Sequence, residues 1–324
     1  MKNNLVGVIW LLVFGLTAAL AQSNGYLLVL NKTDNTLGIL DGQTYKNVAQ
    51  IPVGEGPHEV IASADGKFAY VGNYGTAQAL GNSLSVIDLT AKKEVRRVDL
   101  GALKRPHGLV EIYGKILFTC EVNRAIARYD PATDKVDWVM GTGQDTTHMI
   151  VGSATQKKLF TANIRAGSVT VIDFSTNQTT LTQIVVNGQP EGIDISPDGK
   201  EVWAAHRGSG IVSIIDTAAK KVSETIKVGG DPYRVKITPD GKRALITNPQ
   251  DSELIVLDIA TRKEIKRIPV EGVAAGITTS ADSKRAFVTT IQGNGVAVID
   301  LETLAVTAKF ETGKGPDGIA WVGK

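Results

Sequence analysis

The sequence predicts an all-β fold, a β-propeller of seven four-stranded antiparallel blades, and three repeating patterns predict it. The first is an apolar stretch that ends in aspartate, found at Asp41, Asp88, Asp130, Asp173, Asp216, Asp258 and Asp300, with spacings of 47, 42, 43, 43, 42 and 42 residues. The second is a turn motif that begins at Ser63, Ser196, Thr238 and Ser280. The third is an apolar stretch that ends at Asn73, Asn163, Asn248 and Thr290. A shared period of this length is typical of repeat architectures.

Each repeat contains four predicted strands. In residues 189–230 these are EGIDIS, EVWAAH, IVSIID and VSETIKV, separated by turns such as PDG. β-branched residues and Asp-Gly turns are typical of antiparallel hairpins, and no useful length of chain has the spacing of an amphipathic helix. Four antiparallel strands in about 42 residues match the size of a propeller blade.

The two ends of the chain are predicted to share one blade. Residues 25–54 begin at the second strand of their repeat, because YLLVLN aligns with EVWAAH. The missing first strand is supplied by GPDGIAW at residues 315–321, which aligns with QPEGIDI. Pairing of the N- and C-terminal strands would close the ring and leave no open blade.

Composition excludes several classes of protein. The chain has 324 residues, of which 43% are hydrophobic, so it can bury a core and is not a disordered protein. Its net charge of +2 shows no basic excess, and we expect no nucleic-acid partner. The single cysteine, Cys120, excludes a disulfide framework and a cysteine-based zinc cluster.

The N-terminal segment predicts export. Residues 5–20 carry no charge and end in Ala19-Leu20-Ala21, the small-residue pattern that signal peptidase reads. We interpret residues 1–21 as a signal peptide and residues 22–324 as one propeller domain. A retained membrane anchor is the alternative, since the apolar stretch nearly reaches spanning length. The mature protein is expected in the periplasm or outside the cell, without a membrane association after cleavage.

The motifs YVGN, FTAN and LITN, together with the turns SPDGK and TPDGK, resemble the YVTN-repeat β-propellers, and in particular the YncE-like secreted or periplasmic proteins. The resemblance covers the whole mature chain, whereas the Gly-His and Trp-Asp signatures of WD40 proteins are missing. It implies a seven-bladed fold and leaves function open, because such proteins include binding modules, surface proteins, heme-enzyme subunits and lactonase-like or lyase-like enzymes.

Alignment of the repeats predicts two rings of side chains at one mouth of the central channel. The first ring, at the start of the innermost strands, contains His58, His107, His148, Glu191, Tyr233, Ala275 and Asp317. The second ring, at the end of the second strands, contains Asn31, Asn73, Glu121, Asn163, His206, Asn248 and Thr290. All four histidines of the protein lie in these rings.

The histidines suggest a metal site. Imidazoles and a carboxylate are suitable ligands for a divalent transition metal ion, and His58, His107, His148 and Glu121 are the predicted set. The remaining polar ring members are predicted to bind a ligand: Asn31, Asn73, Asn163, Glu191, His206, Tyr233, Asn248 and Asp317. The alternative is that duplication copied these histidines between repeats and that they serve the fold alone.

Three further features lie near the same mouth. Residues 74–82 form an insertion that is either a lid or specificity loop or a tolerated surface loop. Cys120 occupies a position where other repeats carry small residues, which predicts a buried structural thiol, with a reactive or metal-binding thiol as the alternative. Arg165, Arg207 and Arg234 could hold an anionic ligand, or be solvated surface residues.

The sequence therefore predicts an exported propeller that binds a small-molecule ligand, a metal ion or a partner protein at its funnel face. A metal-dependent hydrolase or lyase, similar to lactonase-like propellers, is the alternative, and an electron-transfer or copper-site protein is a third. No GxSxG elbow, phosphate-binding loop or CxxCH heme motif is present in the sequence.

Overall fold

A computed structural model describes residues 25–323, which form 28 strands in seven four-stranded antiparallel sheets. The predicted fold class is confirmed. The described part of the chain has no helix, and so none that is long and apolar enough to span a membrane. The predicted signal peptide, residues 1–21, lies outside the described residues.

The strands are numbered β1 to β28 in chain order, and each blade is given from the channel outward. Blade 1 contains β28 (Pro316–Val322), β1 (Tyr26–Asn31), β2 (Thr36–Asp41) and β3 (Asn47–Pro52). Blade 2 contains β4 (Pro57–Ala62), β5 (Phe68–Gly75), β6 (Leu80–Asp88) and β7 (Lys93–Asp99). Blade 3 contains β8 (Pro106–Ile112), β9 (Lys115–Cys120), β10 (Ala125–Asp130) and β11 (Lys135–Gly141).

The remaining blades repeat this order. Blade 4 contains β12 (Thr147–Ser153), β13 (Lys158–Asn163), β14 (Ser168–Asp173) and β15 (Thr180–Val185). Blade 5 contains β16 (Gln189–Ile195), β17 (Glu201–Arg207), β18 (Ile211–Asp216) and β19 (Lys221–Lys227). Blade 6 contains β20 (Val235–Ile237), β21 (Arg243–Asn248), β22 (Glu253–Asp258) and β23 (Glu264–Pro269). Blade 7 contains β24 (Ala274–Thr279), β25 (Arg285–Thr290), β26 (Gly295–Asp300) and β27 (Ala305–Glu311).

The hydrophobic core of residues 25–323 is divided into seven clusters, each between two adjacent blades. Successive residues of a strand point to opposite faces of its sheet, so both faces of every blade need apolar residues. In β1, for example, Leu27 and Val29 pack toward blade 7, whereas Leu28 and Leu30 pack toward blade 2. This explains why the middle strands are apolar at nearly every position. The predicted burial of Cys120 is confirmed, and it packs in the cluster between blades 2 and 3.

The aspartate pattern marks the turn between the third and fourth strands of each blade. The Asp41 carboxylate accepts the backbone N–H groups of Gln43 and Thr44, and Asp300 does the same for Glu302 and Thr303. A carboxylate that bonds the backbone of its own turn holds the chain reversal in place. The repeating aspartate is therefore a structural residue of the turn.

The ring closes in blade 1, as predicted. Strand β28 pairs with β1 over Tyr26–Asn31, and it lies between the inner strands β4 and β24 of the neighbouring blades. Trp321 of β28 stacks on Phe287 of blade 7, with ring centroids 5.5 Å apart. The last strand in the sequence thus joins the first blade to both of its neighbours.

Removal of residues 315–324 is expected to destabilise the whole ring, because it deletes β28 and exposes the inner edge of β1. Loss of the buried Ile319 and Val322 side chains alone should cost about 3 kcal/mol or more. Thermal and urea unfolding measure this, with a variant lacking only Lys324 as the control. Equal unfolding free energies for the two truncations would contradict closure by this strand.

Candidate functional site

A cavity of 700 Å³ opens at the mouth of the channel where the inner strands begin. It is lined from both predicted rings, by His58, His107, His148, Glu191 and Tyr233 of the first ring and Glu121 of the second. Glu121 is thus the member of the second ring that meets the first ring in this cavity, and the other six members do not line it. Ala275 and Asp317 of the first ring do not line this cavity.

An irregularity at the start of the inner strand presents the first-ring side chains. In blade 2 the pairing register shifts between Pro57 and Glu59, which leaves His58 outside the regular ladder. The same shift occurs around His107, around His148 and around Glu191 in the next three blades. A β-bulge leaves a residue unpaired and re-aims its side chain. The bulge is thus the local feature that turns these residues away from the blade.

Three imidazoles from consecutive blades stack in the cavity. The ring centroids of His58 and His107 are 4.7 Å apart, and those of His107 and His148 are 3.8 Å apart. The phenol ring of Tyr74 lies edge-on to this stack, 4.6 Å from His58 and 5.4 Å from His107. Neighbouring blades therefore converge on a single aromatic and imidazole cluster.

His148 lies between two carboxylates. Its Nδ1 contacts Glu121 Oε1, and its Nε2 lies 2.9 Å from Glu191 Oε1. Burial favours the neutral imidazole, but the charges and hydrogen bonds of Glu191 and Glu121 outweigh it and raise the pKa of His148 to about 9. The same pairing overcomes burial and lowers the pKa of both carboxyls. In the metal-free protein at neutral pH, the three groups form a buried imidazolium–dicarboxylate unit.

His107 has the opposite electrostatic environment. Burial, reinforced by the nearby charges of His148 and His58, holds the pKa of His107 well below its usual range. Its buried Nδ1 has no hydrogen-bond partner among the described residues. His107, Glu121 and His148 together offer one ligand atom each within 4.8 Å of one another. His58, the fourth predicted ligand, stacks beside this trio but is not part of it.

A charged layer underlies the cavity. The guanidinium of Arg234 is buried and contacts Glu191 Oε1 at 3.2 Å and Glu59 Oε1 at 2.8 Å. His58 Nδ1 lies 3.0 Å from Asp317 Oδ2, and although burial opposes it, this contact helps lower the pKa of Asp317 to about 2. Since Arg234 joins blade 6 to blade 2, this layer ties opposite sides of the ring together.

The asparagines of the second ring bond the scaffold. Asn73 donates to the hydroxyls of Ser83 and Ser85 on the adjacent strand, and Asn163 donates to Ser168 and Thr170. Asn31 and Asn248 are likewise buried and bonded within their own blades, as is His206 through Ser213. None of these five residues lines the cavity, and their role as ligand groups stays a prediction.

A third ring, at the position that follows the second ring, was not predicted from the sequence, although Tyr74 was named in the insertion and Arg207 as a candidate for holding an anion. This position lines the cavity in five blades, and these residues are Lys32, Tyr74, Val122, Ile164 and Arg207. The end of a strand allows the next side chain to turn toward the mouth, while the ring residue stays buried against its hairpin. Reading one residue further along each repeat would have found this set.

The insertion at residues 74–82 extends the hairpin of β5 and β6 and is anchored to the site. The phenol of Tyr74 donates to Glu121 Oε2, and Arg105 donates to the Tyr74 hydroxyl at 2.8 Å and to the Thr76 carbonyl at 3.2 Å. This loop therefore contributes a wall of the cavity. Arg165 and Arg207 also line it, whereas Arg234 lies beneath it in the charged layer.

The free energy of unfolding of the metal-free protein should fall between pH 6.5 and pH 9. His148 has a higher pKa in the folded than in the unfolded chain, so its pairing stabilises the fold fully below pH 6.5 and is lost as pH rises toward about 9. The decrease should reach up to about 3 kcal/mol. Urea unfolding in chelator at several pH values measures it.

The variant H148Q should remove this decrease, and H206Q should retain it, because the pKa of His206 is lowered by burial to about 4 and does not titrate in this window. A wild-type stability that stays flat from pH 6.5 to 9 would show that the imidazolium pairing contributes nothing.

Comparisons with known proteins agree with the fold. Residues 119–238 match the family model of the YncE-like β-propellers. A functionally unknown protein from Desulfotomaculum acetoxidans has a TM-score of 0.79 at 13% identity, over 92% of this chain and 99% of that one. No curated protein is significantly similar in sequence.

Two further structures are similar. Hydrazine synthase from Kuenenia stuttgartiensis has a TM-score of 0.73 at 19% identity, over 89% of this chain and 99% of that one. A Bacteroides fragilis protein, provisionally assigned as a 6-phosphogluconolactonase, has a TM-score of 0.74 at 15% identity, over 93% and 98%. At these identities the likeness shows the fold alone. The chain is therefore a seven-bladed β-propeller, and its residues 119–238 are similar to the YncE-like family.

Proposed function

We propose that the protein binds a divalent transition metal ion on His107, Glu121 and His148, and presents that ion to a ligand in the funnel. The observation that carries this proposal is the buried trio, whose ligand atoms lie within 4.8 Å of one another. Two imidazoles and a carboxylate form a donor set suited to zinc, copper, nickel or iron. The unpartnered Nδ1 of His107 is a donor that an ion would satisfy.

Contacts around the trio support this role. His148 presents Nδ1 to Glu121, while its Nε2 is held by Glu191, which is the arrangement that orients a metal-binding imidazole. The second oxygen of Glu121 is held by the Tyr74 hydroxyl. His148 and Glu121 are therefore each oriented by a hydrogen bond from a residue that is not itself a metal ligand.

The cavity provides room for a ligand. Three protein ligands leave at least one coordination position, and the trio lines a space of 700 Å³. A cavity of that volume suits a small molecule. Together with the export signal expected in residues 1–21, this supports a periplasmic or secreted binding protein whose partner is a small molecule or the exposed part of another protein.

A metal-dependent hydrolase or lyase is the second candidate. The observation that favours it is the open side of a three-ligand set, which is typical of catalytic rather than structural zinc sites. When bound, such an ion would polarise a carbonyl or activate water. The provisional lactonase assignment of the Bacteroides fragilis structure agrees with this class.

Elemental analysis of protein purified without a histidine tag, and of the same protein loaded with zinc, copper or nickel and then desalted, tests the metal site. We expect close to one ion per chain. H107A and H148A should each weaken metal binding by more than about tenfold. Loss of a residue that only hydrogen-bonds a metal ligand already lowers metal affinity about 10–100-fold.

H206Q is the matched control, since His206 is a buried imidazole outside the trio, and it should bind like the wild type. H58A should also retain the ion. Absence of metal after loading, or equal retention by the H107A/H148A double variant, would refute the site.

Turnover of a panel of lactones and esters, measured with and without chelator on metal-loaded protein, separates the two candidates. Chelator-sensitive turnover that H107A abolishes would establish the hydrolase or lyase. A loaded protein without turnover supports the binding function.

A further inference from the structure

We infer that the funnel selects a small molecule that carries an oxyanion, a carboxylate or a phosphate, and that Arg165 and Arg207 are its recognition residues. The inference deepens the proposed function, because the anion would lie above the metal trio. It is carried by the charge and pairing of the cavity lining. Five cationic side chains line the cavity: Lys32, Arg105, Arg124, Arg165 and Arg207.

The lining has three carboxylates against these five cations, and its two glutamates are held mainly by other groups. Glu121 is engaged by Tyr74 and His148, and Glu191 is engaged by His148 and by the buried Arg234. The third, Asp145, lies 3.8 Å from Arg124, and Lys32 lies 3.8 Å from the buried Asp317 beside the cavity. Glu121 and Glu191 are thus paired mainly with the buried His148 and Arg234. The cavity lining therefore has more positive than negative side chains.

The cations at the mouth are loosely paired. Arg207 lies 3.7 Å from Glu191 and 3.9 Å from Asp231, and its side chain is 48% exposed. Arg165 makes no ion pair with any residue of 25–323. The guanidinium groups therefore retain donors, and an arginine fork matches the two oxygens of a carboxylate or phosphate.

Arg207 is also held in place. Its guanidinium carbon lies 5.4 Å from the centroid of the Tyr233 ring, which itself lines the cavity. Arg105, in contrast, is committed to the Tyr74 hydroxyl and the Thr76 carbonyl. Arg165, which has no ion pair, and Arg207, which is held by Tyr233, therefore present donors to the cavity from blades 4 and 5.

Isothermal titration calorimetry at low ionic strength tests the inference, with succinate, glycerol phosphate and the uncharged succinamide as probes. Metal-loaded protein should bind at least one of the two anions and should not bind succinamide. The anion with the higher affinity shows whether the site prefers a carboxylate or a phosphate. Raising the salt to 300 mM should weaken binding, because exposed charges are screened within about 8 Å or less.

The double variant R165Q/R207Q should weaken anion binding at least tenfold without changing metal content. R97Q is the matched control, since Arg97 lies on an outer strand and pairs with Glu94, and it should bind like the wild type. Equal affinity of wild type and double variant, or equal binding of succinamide, would overturn the inference.

The two proposals fail separately. Metal uptake with neither anion bound would overturn the anion inference and leave the metal site standing. Arginine-dependent anion binding by a protein that takes up no metal would overturn the metal site and leave the anion inference standing.

Discussion

Packing between blades is the constraint on which the rest of the structure depends. No blade has a core of its own, because the buried side chains of residues 25–323 lie in clusters shared by adjacent sheets. A sheet with two apolar faces is stable only between two neighbours, so the ring has to be complete. Strand β28 completes it by bringing residues from the end of the chain to β1. The closed ring then brings the blade ends together around one channel.

The site follows from a local departure from the same regular pattern. Where the inner strands begin, a bulge breaks the alternation that would bury each side chain between sheets. Three consecutive blades place histidine there, and the ring geometry brings the imidazoles into contact. The scaffold thus supplies precision, and the bulged residues supply the chemistry.

Electrostatics give neighbouring histidines different roles. His107 and His148 are both buried and stack on each other, yet burial dominates for the first and two carboxylates dominate for the second. The pKa of one imidazole falls and that of the other rises. A buried charge of this kind persists only when its partners are close and well bonded, as Glu121 and Glu191 are. The charged layer around Arg234 supports Glu191 in turn.

The sequence by itself determined the seven-bladed ring, the closure of that ring by its two ends, and the convergence of His58, His107, His148 and Glu121 at one mouth. These follow from repeat period and strand register, which are local properties of the backbone. Tertiary structure alone decided which ring members share a site. It paired Arg234 with Glu59, 175 residues away in the chain, and it left His58 beside the trio of His107, Glu121 and His148. Those outcomes depend on contacts between side chains of different blades. A sequence pattern within one repeat carries no information about the distance from that repeat to another blade.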